Sequence, residues 1–318
     1  MKRINNLYEK IYAVDNLVLA DAKARKGKLK SYGVIKHDLN REQHISELHE
    51  SLKNKAFNTS RYHVFKITDP KEREIYQLPY YPDRIVHHAV MNILEPIWVS
   101  IFTRDTYSCI KGRGIHGVVR KLKVDLLDYE KTTYCLKLDI RKYYPSIDHD
   151  ILKRILRQKI KDKSLLWLLD GIIDSAPGVP IGNYLSQFFA NLYLAYFDHW
   201  IKEEKKIKYY YRYADDIVIL SDSKEFLHGL FVEMKTYLSM VLKLEVKKNY
   251  QVFPVEKRGI DFVGYRFYHT HILLRKSIKK RFVMAINKTG YYNKHIHSSY
   301  YGWSLHCNSK HLLKKFAA

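Results

Sequence analysis

The sequence predicts an α+β fold, on three observations. Short aromatic and β-branched runs read as paired strands around acidic residues, longer amphipathic stretches between them read as helices, and no internal repeat or low-complexity tract interrupts the order. The 318 residues suffice for a sizeable core and for two or three subdomains rather than two independent proteins.

The most informative stretch is Tyr213-Ala214-Asp215-Asp216, set between Tyr209-Tyr210-Tyr211-Arg212 and Ile217-Val218-Ile219-Leu220. The flanks read as two strands, which places the acidic pair at a hairpin tip. Adjacent carboxylates repel, and a divalent cation between them outweighs that repulsion. Alone, such a pair is more often a plain solvated turn. A second segment changes this. In Leu136-Lys137-Leu138-Asp139-Ile140, Asp139 lies at the end of an alternating apolar run that reads as a half-buried strand. An acid there is costly unless its charge is compensated, by a salt bridge, a cap or a metal shared across the sheet. Asp139, Asp215 and Asp216 together are what two-metal nucleotidyl transfer requires, with the ions about 3.5–4 Å apart. Asp139 and Asp215 are expected as bridging ligands and Asp216 as a flanking one.

The remaining elements follow in order. Residues 4–25 and 41–56 read as amphipathic helices around the basic linker Arg25-Lys26-Gly27-Lys28-Leu29-Lys30. Strand-like runs follow at Tyr62–Thr68 and Glu74–Pro79, then a helix from near Asp83 that stops by Pro96. Lys111-Gly112-Arg113-Gly114 leads into a helix over 115–129. Short helices fit 149–160 and 163–174, and Pro177-Gly178-Val179-Pro180 breaks the chain before a long helix over 184–204. A helix over 224–243 and strands near 249–254 and 258–268 come after the acidic hairpin.

The net charge of +23 and a pI near 9.6 point to a polyanionic partner. Twenty-seven tyrosines mixed with the basic residues favour nucleic acid over a membrane surface, because bases stack on aromatic rings. From residue 262 to the C-terminus there is no Asp or Glu, while eleven Lys or Arg occur with Tyr291, Tyr292, Tyr300, Tyr301 and Trp303. This stretch reads as a lobe gripping the nucleic-acid backbone; a solvated basic face is the alternative. Cys109, Cys135 and Cys307 are odd in number and far apart, which argues against a disulfide framework or a Cys-ligated zinc. They fit a reducing, cytoplasmic setting. No apolar run is long enough for a membrane span, and the charged N-terminus does not read as a secretory signal.

The order of Arg113-Gly114 with His116, the Asp139 strand, the Gly182 loop, Tyr213-Ala214-Asp215-Asp216 and Gly259-Ile260-Asp261-Phe262-Val263-Gly264-Tyr265 resembles a reverse transcriptase, from about residue 60 to 290. The resemblance implies a right-hand polymerase: an N-terminal helical extension (1–60), fingers (61–135), a palm (136–265, with finger-side helices 149–180) whose antiparallel sheet carries helices on one face, and a basic helical thumb (266–318). It implies an RNA-directed DNA polymerase with two Mg²⁺ ions held at Asp139, Ile140, Asp215 and Asp216, acting on dNTPs and an RNA–cDNA duplex. Tyr144 then falls where the family places a steric gate against a ribose 2′-hydroxyl; a half-buried core tyrosine is the other reading. Arg73 resembles the fingers arginine that holds the incoming triphosphate, or is a solvated strand-edge arginine. Nucleotide contacts are expected from Arg73, Tyr144, Ile181, Gly182 and Gln187. Template-primer contacts are expected from Arg84, Arg113, Gly264, Tyr265, Lys279, Lys280 and Arg281. Lys247 or Lys248 is a candidate proton donor to pyrophosphate.

One departure points to a subtype. Where most reverse transcriptases have Gln-Gly, three residues, then Ser-Pro, this chain has Ile181-Gly182-Asn183-Tyr184-Leu185-Ser186-Gln187. That combination looks like the reverse transcriptases of diversity-generating retroelements, which copy a template-repeat RNA with errors at adenines. The type is expected to be compact, without a maturase, RNase H or endonuclease extension, and to work with a small basic accessory variability protein. A retron- or group II intron-like enzyme and a catalytically silent RNA-binding scaffold of the same fold are the competitors.

Overall fold

The computed structural model describes residues 3–68, 72–289 and 294–312. Of the basic C-terminal stretch, Tyr291, Tyr292, Lys314 and Lys315 lie outside the described residues. In chain order the elements are α1 (Tyr8–Tyr12), α2 (Val14–Ala24), α3 (Tyr32–Asp38), α4 (Arg41–Lys53), β1 (His63–Ile67), β2 (Arg73–Gln77), α5 (Ile85–Val99) and α6 (Gly114–Asp125). There follow β3 (Tyr134–Asp139), α7 (His149–Lys159), α8 (Lys163–Asp174), α9 (Tyr184–Tyr193), α10 (Ala195–His199), β4 (Tyr210–Tyr213), β5 (Asp216–Ser221) and α11 (Lys224–Leu242). The chain closes with β6 (Gln251–Pro254), α12 (Val255–Arg258), β7 (Ile260–Phe262), β8 (Tyr265–Phe267), β9 (Ile272–Leu274), α13 (Lys276–Thr289) and α14 (Lys294–Ser304).

Two compact units form. The first gathers Met1–Thr103, Lys142–Phe197 and Met240–Leu244; the second gathers Arg104–Arg141, Asp198–Ser239 and Glu245–Ala318. In the first unit, α1, α2 and α9 pack against the apolar faces of α5, α4 packs on α1 and α2, and β1 and β2 form an antiparallel hairpin. Asp148 caps α7 by accepting from the Ile151 N–H at 3.0 Å, and Asp162 caps α8 from Ser164 and Leu165. Asp162 also accepts from the N–H groups of Leu7 and Tyr8, which fastens the N-terminal helices to α8.

Several boundaries differ from expectation. The helix over 4–25 is two helices broken at Ala13, whose ψ of 133° is extended. The stretch read as a linker is followed by α3, whose Val34 is fully buried. Helix α5 continues through Pro96 to Val99. Proline removes one main-chain donor, while Trp98, fully buried beside Phe188 and Phe189, holds the last turn in place. The helix over 184–204 divides into α9, α10 and a wide turn at Trp200–Glu204. The strand read over 258–268 folds back on itself as β7 and β8, because Val263 (φ 42°) and Gly264 (φ 92°) make a tight left-handed turn.

The second unit holds a four-stranded antiparallel sheet of order β4-β5-β3-β6 and a three-stranded sheet β7-β8-β9. Successive side chains on a strand point to opposite faces. Cys135 of β3, Val218 and Leu220 of β5 and Tyr211 of β4 therefore share one face, and they are buried in a core with Val118, Val119 and Leu122 of α6 and with Phe262, Tyr265 and Phe267. Lys137, Asp139 and Asp216 have the same parity. The face that α6 covers at one end thus carries the acids at the other.

Candidate active site

Asp139 is the last residue of β3 and Asp216 the first of β5, and the two stand directly across the antiparallel ladder. Asp215 occupies the two-residue turn between β4 and β5, where its carbonyl accepts from the Ile140 N–H at 3.3 Å. The sheet thus brings the three expected aspartates together. Ile140 is fully buried and bridges Val246, so only its main-chain carbonyl is available as a ligand.

The charges around them are uneven. Lys247 makes an ion pair with Asp139 Oδ1, and its N–H donates to the Asp139 carbonyl at 2.9 Å. Lys248 is exposed. Lys137 Nζ stands 3.8 Å from Asp216 Oδ1 and donates to the Asp261 carbonyl, while Asp261 is paired with Arg275. Burial pushes the Asp215 carboxyl up to about 6, and the neighbouring charges of Asp139 and Asp216 add to the rise. Burial also raises that of Asp216; Lys137 opposes the rise and Asp139 reinforces it. Asp216 Oδ1 is buried with no hydrogen-bond partner.

An orphaned buried carboxylate oxygen beside a carboxyl whose pKa burial and neighbouring acids raise is what a hard cation relieves, so the donor set fits a divalent ion of the Mg²⁺ class. Among the described residues, no three Asp, Glu, His or Cys side chains are gathered closely enough to hold an ion as they stand. The ammonium groups of Lys247 and Lys137 take part of the counter-charge instead.

Beneath the turn lies a pair that sequence reading missed. Arg212 and Asp198 are fully buried and joined by hydrogen bonds of 2.7 and 2.6 Å. Thr106 and Tyr210 donate to the same carboxylate at 2.8 and 2.6 Å. Arg212 Nη1 donates to the Ala214 carbonyl at 3.1 Å. Ala214 has φ 54°, a left-handed conformation that costs a residue with a Cβ roughly 1–2 kcal/mol. The buried guanidinium therefore holds a strained turn, and Asp215 with it. An arginine inside an aromatic strand was the available signal; its partner, fourteen residues earlier, had none.

The other expected contacts fall as follows. In the first unit, Arg73 is exposed at the start of β2. The Ile181 carbonyl accepts from the Tyr76 N–H at 2.9 Å, and a Cβ on Gly182 (φ 119°) would come within 3.1 Å of Ile75 and of the Tyr76 carbonyl. The Ile181-Gly182 loop is therefore seated on the strand that carries Arg73. Gln187 is exposed on α9. Tyr144 is half-buried in a 3₁₀ turn, with its carbonyl accepting from Val179 N–H at 2.9 Å. Arg84 turns to its own chain, donating to the Leu78 carbonyl at 3.3 Å.

In the second unit, Arg113 is half-buried and donates to the Thr106 carbonyl at 3.0 Å. Gly264 and Tyr265 pack against α14: a Cβ on Gly264 would stand 2.5 Å from the Trp303 ring, and the Tyr265 hydroxyl donates to the Trp303 carbonyl at 2.9 Å. Lys279, Lys280 and Arg281 are exposed on α13, while Phe282 faces inward and is fully buried.

An acidic turn and an acid across an antiparallel sheet, in a chain mixing helix and sheet in this order, fit the right-hand polymerase fold. The family model described as reverse transcriptase (RNA-dependent DNA polymerase) matches residues 68–267, and the chain belongs to that family. It is 27% identical to Protein YkfC of Escherichia coli over 59% of this chain and 61% of that protein. It is 22% identical to the group II intron-encoded protein LtrA of Lactococcus lactis over 70% of this chain and 49% of that protein. Against a nuclear intron maturase of Arabidopsis thaliana the match is 27% over 29% of this chain and 12% of the relative. The chain thus spans less than two thirds of the length of these relatives. Among solved structures, apo telomerase from Candida tropicalis superposes with a TM-score of 0.51 at 13% identity, covering 67% of this chain and 48% of that one. The same telomerase with a fragment of telomeric RNA gives 0.51 at 13%, covering 76% and 52%. These likenesses show the right-hand fold. No helix among the described residues is long and apolar enough to cross a membrane.

Proposed function

We propose that the chain is an RNA-directed DNA polymerase whose chemistry is carried by Asp139, Asp215 and Asp216. The observation that carries this reading is the register: Asp139 lies opposite Asp216 with Asp215 in the adjoining turn, in a chain of the reverse transcriptase family. Two Mg²⁺ ions held by these carboxylates and the Ile140 carbonyl would lower the pKa of a primer 3′-hydroxyl and neutralise the departing pyrophosphate. The chain's own residues do the rest. Were Asp139 to hold an ion, Lys247 would be released from it and would stand beside the centre as an ammonium group able to protonate the leaving pyrophosphate. Arg73 supplies a planar fork for the triphosphate, and Tyr144 excludes a 2′-hydroxyl. In this reading residues 61–135 serve as fingers, 136–265 as palm and 266–318 as thumb, with exposed Lys279, Lys280 and Arg281 on the duplex backbone and residues 1–60 as a helical extension.

The finer reading is a diversity-generating retroelement enzyme that copies a template-repeat RNA beside a small basic accessory protein in the cytoplasm. It is supported by Ile181, in a loop seated on β2, and Gln187, on α9, which replace the family's usual glutamine and proline. A group II intron-like reading has its own observation, the resemblance to LtrA and to an intron maturase.

The experiment is sequencing of cDNA made by the purified chain with Mg²⁺, dNTPs and a defined RNA, against Asp215→Ala/Asp216→Ala. Aspartate-dependent cDNA with errors opposite adenines is the expected result. Accurate cDNA removes the retroelement subtype, and synthesis that survives loss of both aspartates removes the catalytic reading.

A further inference from the structure

We propose that the second unit carries another nucleic-acid contact, apart from the aspartates: a basic cavity that seats one phosphorylated nucleotide unit of an RNA strand. The cavity encloses about 460 Å³ and is lined by Arg120, Lys123, His306, Lys310 and His311 with no acidic side chain. Its apolar floor includes Val119 and Ile272, both buried. On α6, His116, Arg120 and Lys123 recur at the four- and three-residue spacing that puts them on one helix face.

The opposite wall is built rather than loose. Asn308 exchanges two hydrogen bonds with Ile272 of β9, its N–H donating to the carbonyl at 2.8 Å and its Oδ1 accepting at 2.9 Å. Ser309, buried, donates to the Ser304 carbonyl at 2.8 Å. The His306 ring lies on that of His116 with centroids 4.0 Å apart. Burial, then the charges of His116 and Arg120, hold the His306 imidazole below its ordinary pKa. Positive groups are therefore crowded together without a counter-charge, and an anion placed among them is stabilised by all of them.

A phosphate satisfies the basic rim, and a base or sugar fits the apolar floor and the imidazole faces. The volume is that of a small-ligand site, about 300–1,000 Å³. With the chain at +23 and of reverse transcriptase family, a nucleic-acid strand is a better occupant than an acidic peptide, which offers carboxylates but no ring to stack. The choice of RNA as ligand rests on the proposed function; the anion site itself does not.

The test uses the full chain with a short template-primer duplex in excess, and follows a labelled single-stranded RNA by anisotropy across a salt series. Arg120, Lys123 and Lys310 are exposed, so the triple variant R120Q/K123Q/K310Q keeps its fold, checked by an unchanged melt. We expect RNA affinity to fall at least tenfold and the slope of log affinity against log salt to drop by about 0.7, as loss of one phosphate contact on a single strand requires. A control triple at exposed Lys224, Lys235 and Lys257 leaves affinity within twofold. Displacement of the RNA by millimolar 5′-AMP supports a site for a single nucleotide unit, and resistance to AMP would overturn it. Unchanged affinity and slope in the triple variant, an equal loss in the control, or equal displacement by a polyglutamate peptide would overturn it. Because binding is read without catalysis, an inactive chain that still loses RNA in the triple variant refutes the polymerase reading and leaves this site standing.

Discussion

Arg212 and Asp198 form an ion pair with both side chains fully buried, and the same guanidinium donates to the Ala214 carbonyl in the turn that presents Asp215. A charge pair so enclosed is costly to desolvate and contributes little net stability, yet breaking it leaves an uncompensated charge in the core. Its structural result is geometric: it fixes a left-handed turn that the sequence between two strands would not hold alone.

Asp198→Asn is therefore expected to destabilise the chain by about 3–5 kcal/mol. Combining it with Arg212→Met should recover a large part of that loss, since the stranded charge goes too. Thermal melts of the single and double variants measure this; a double variant as unstable as the sum of its parts would refute the stranded-charge account. The recovered fold should still lack cDNA synthesis, because nothing then holds the Ala214 carbonyl.

The raised carboxyl of Asp215 has a definite consequence with pH. Below an ordinary aspartate pKa, folded and unfolded chains both carry the proton. As pH rises from there to about 6, the unfolded chain releases it while the folded chain retains it, so stability falls through that window. Asp215→Asn removes the repelling charge and should raise stability by on the order of 1–3 kcal/mol above that window, with no gain below pH 4. Millimolar Mg²⁺ should stabilise the parent chain and not the variant. Melts across pH with and without Mg²⁺ decide the matter; a gain that persists at pH 3.5 would exclude the linkage.

Gly178 (φ 59°) lies against the turn of Tyr144: a Cβ there would stand 2.6 Å from the carbonyls of both Tyr144 and Pro145. Main-chain atoms cannot step aside as a side chain can. Gly178→Ala should cost about 2–4 kcal/mol and displace Tyr144. If Tyr144 guards against ribonucleotides, Tyr144→Ala should raise rNTP incorporation by an order of magnitude or more, corresponding to roughly 1.4 kcal/mol. Single-nucleotide extension with dNTP and rNTP reads this directly, and unaltered selectivity in Tyr144→Ala assigns the ring to packing alone.

Ile181 offers no hydrogen bond where a glutamine would. A lost oriented contact of about 1 kcal/mol weakens discrimination several-fold. Ile181→Gln should lower misincorporation opposite adenine while leaving aspartate-dependent synthesis intact, as sequenced cDNA will show. The same error spectrum in the variant would remove Ile181 from any account of fidelity.

The acidic hairpin, the break at Pro177-Gly178 and the basic C-terminal stretch were legible because each violates an ordinary local preference, whereas the turn at Gly264 was not. Adjacent acids, an acid on a core strand and a long run without Asp or Glu all announce themselves within a few residues. Helix boundaries were less legible, as α5 shows: Pro96 weakens the helix locally, but burial of Trp98 outweighs it.

By itself, then, the sequence determined the three aspartates, the motif order that resembles the family and a net charge of +23, since residue type and charge travel with the chain in any conformation. The tertiary structure alone decided that Asp139 faces Asp216, that Lys247 rather than Lys248 reaches Asp139, and that Asp198 lies under Arg212. Those relationships depend on strand register and helix placement. Both are set by packing summed over the whole core, and no window of sequence contains that sum.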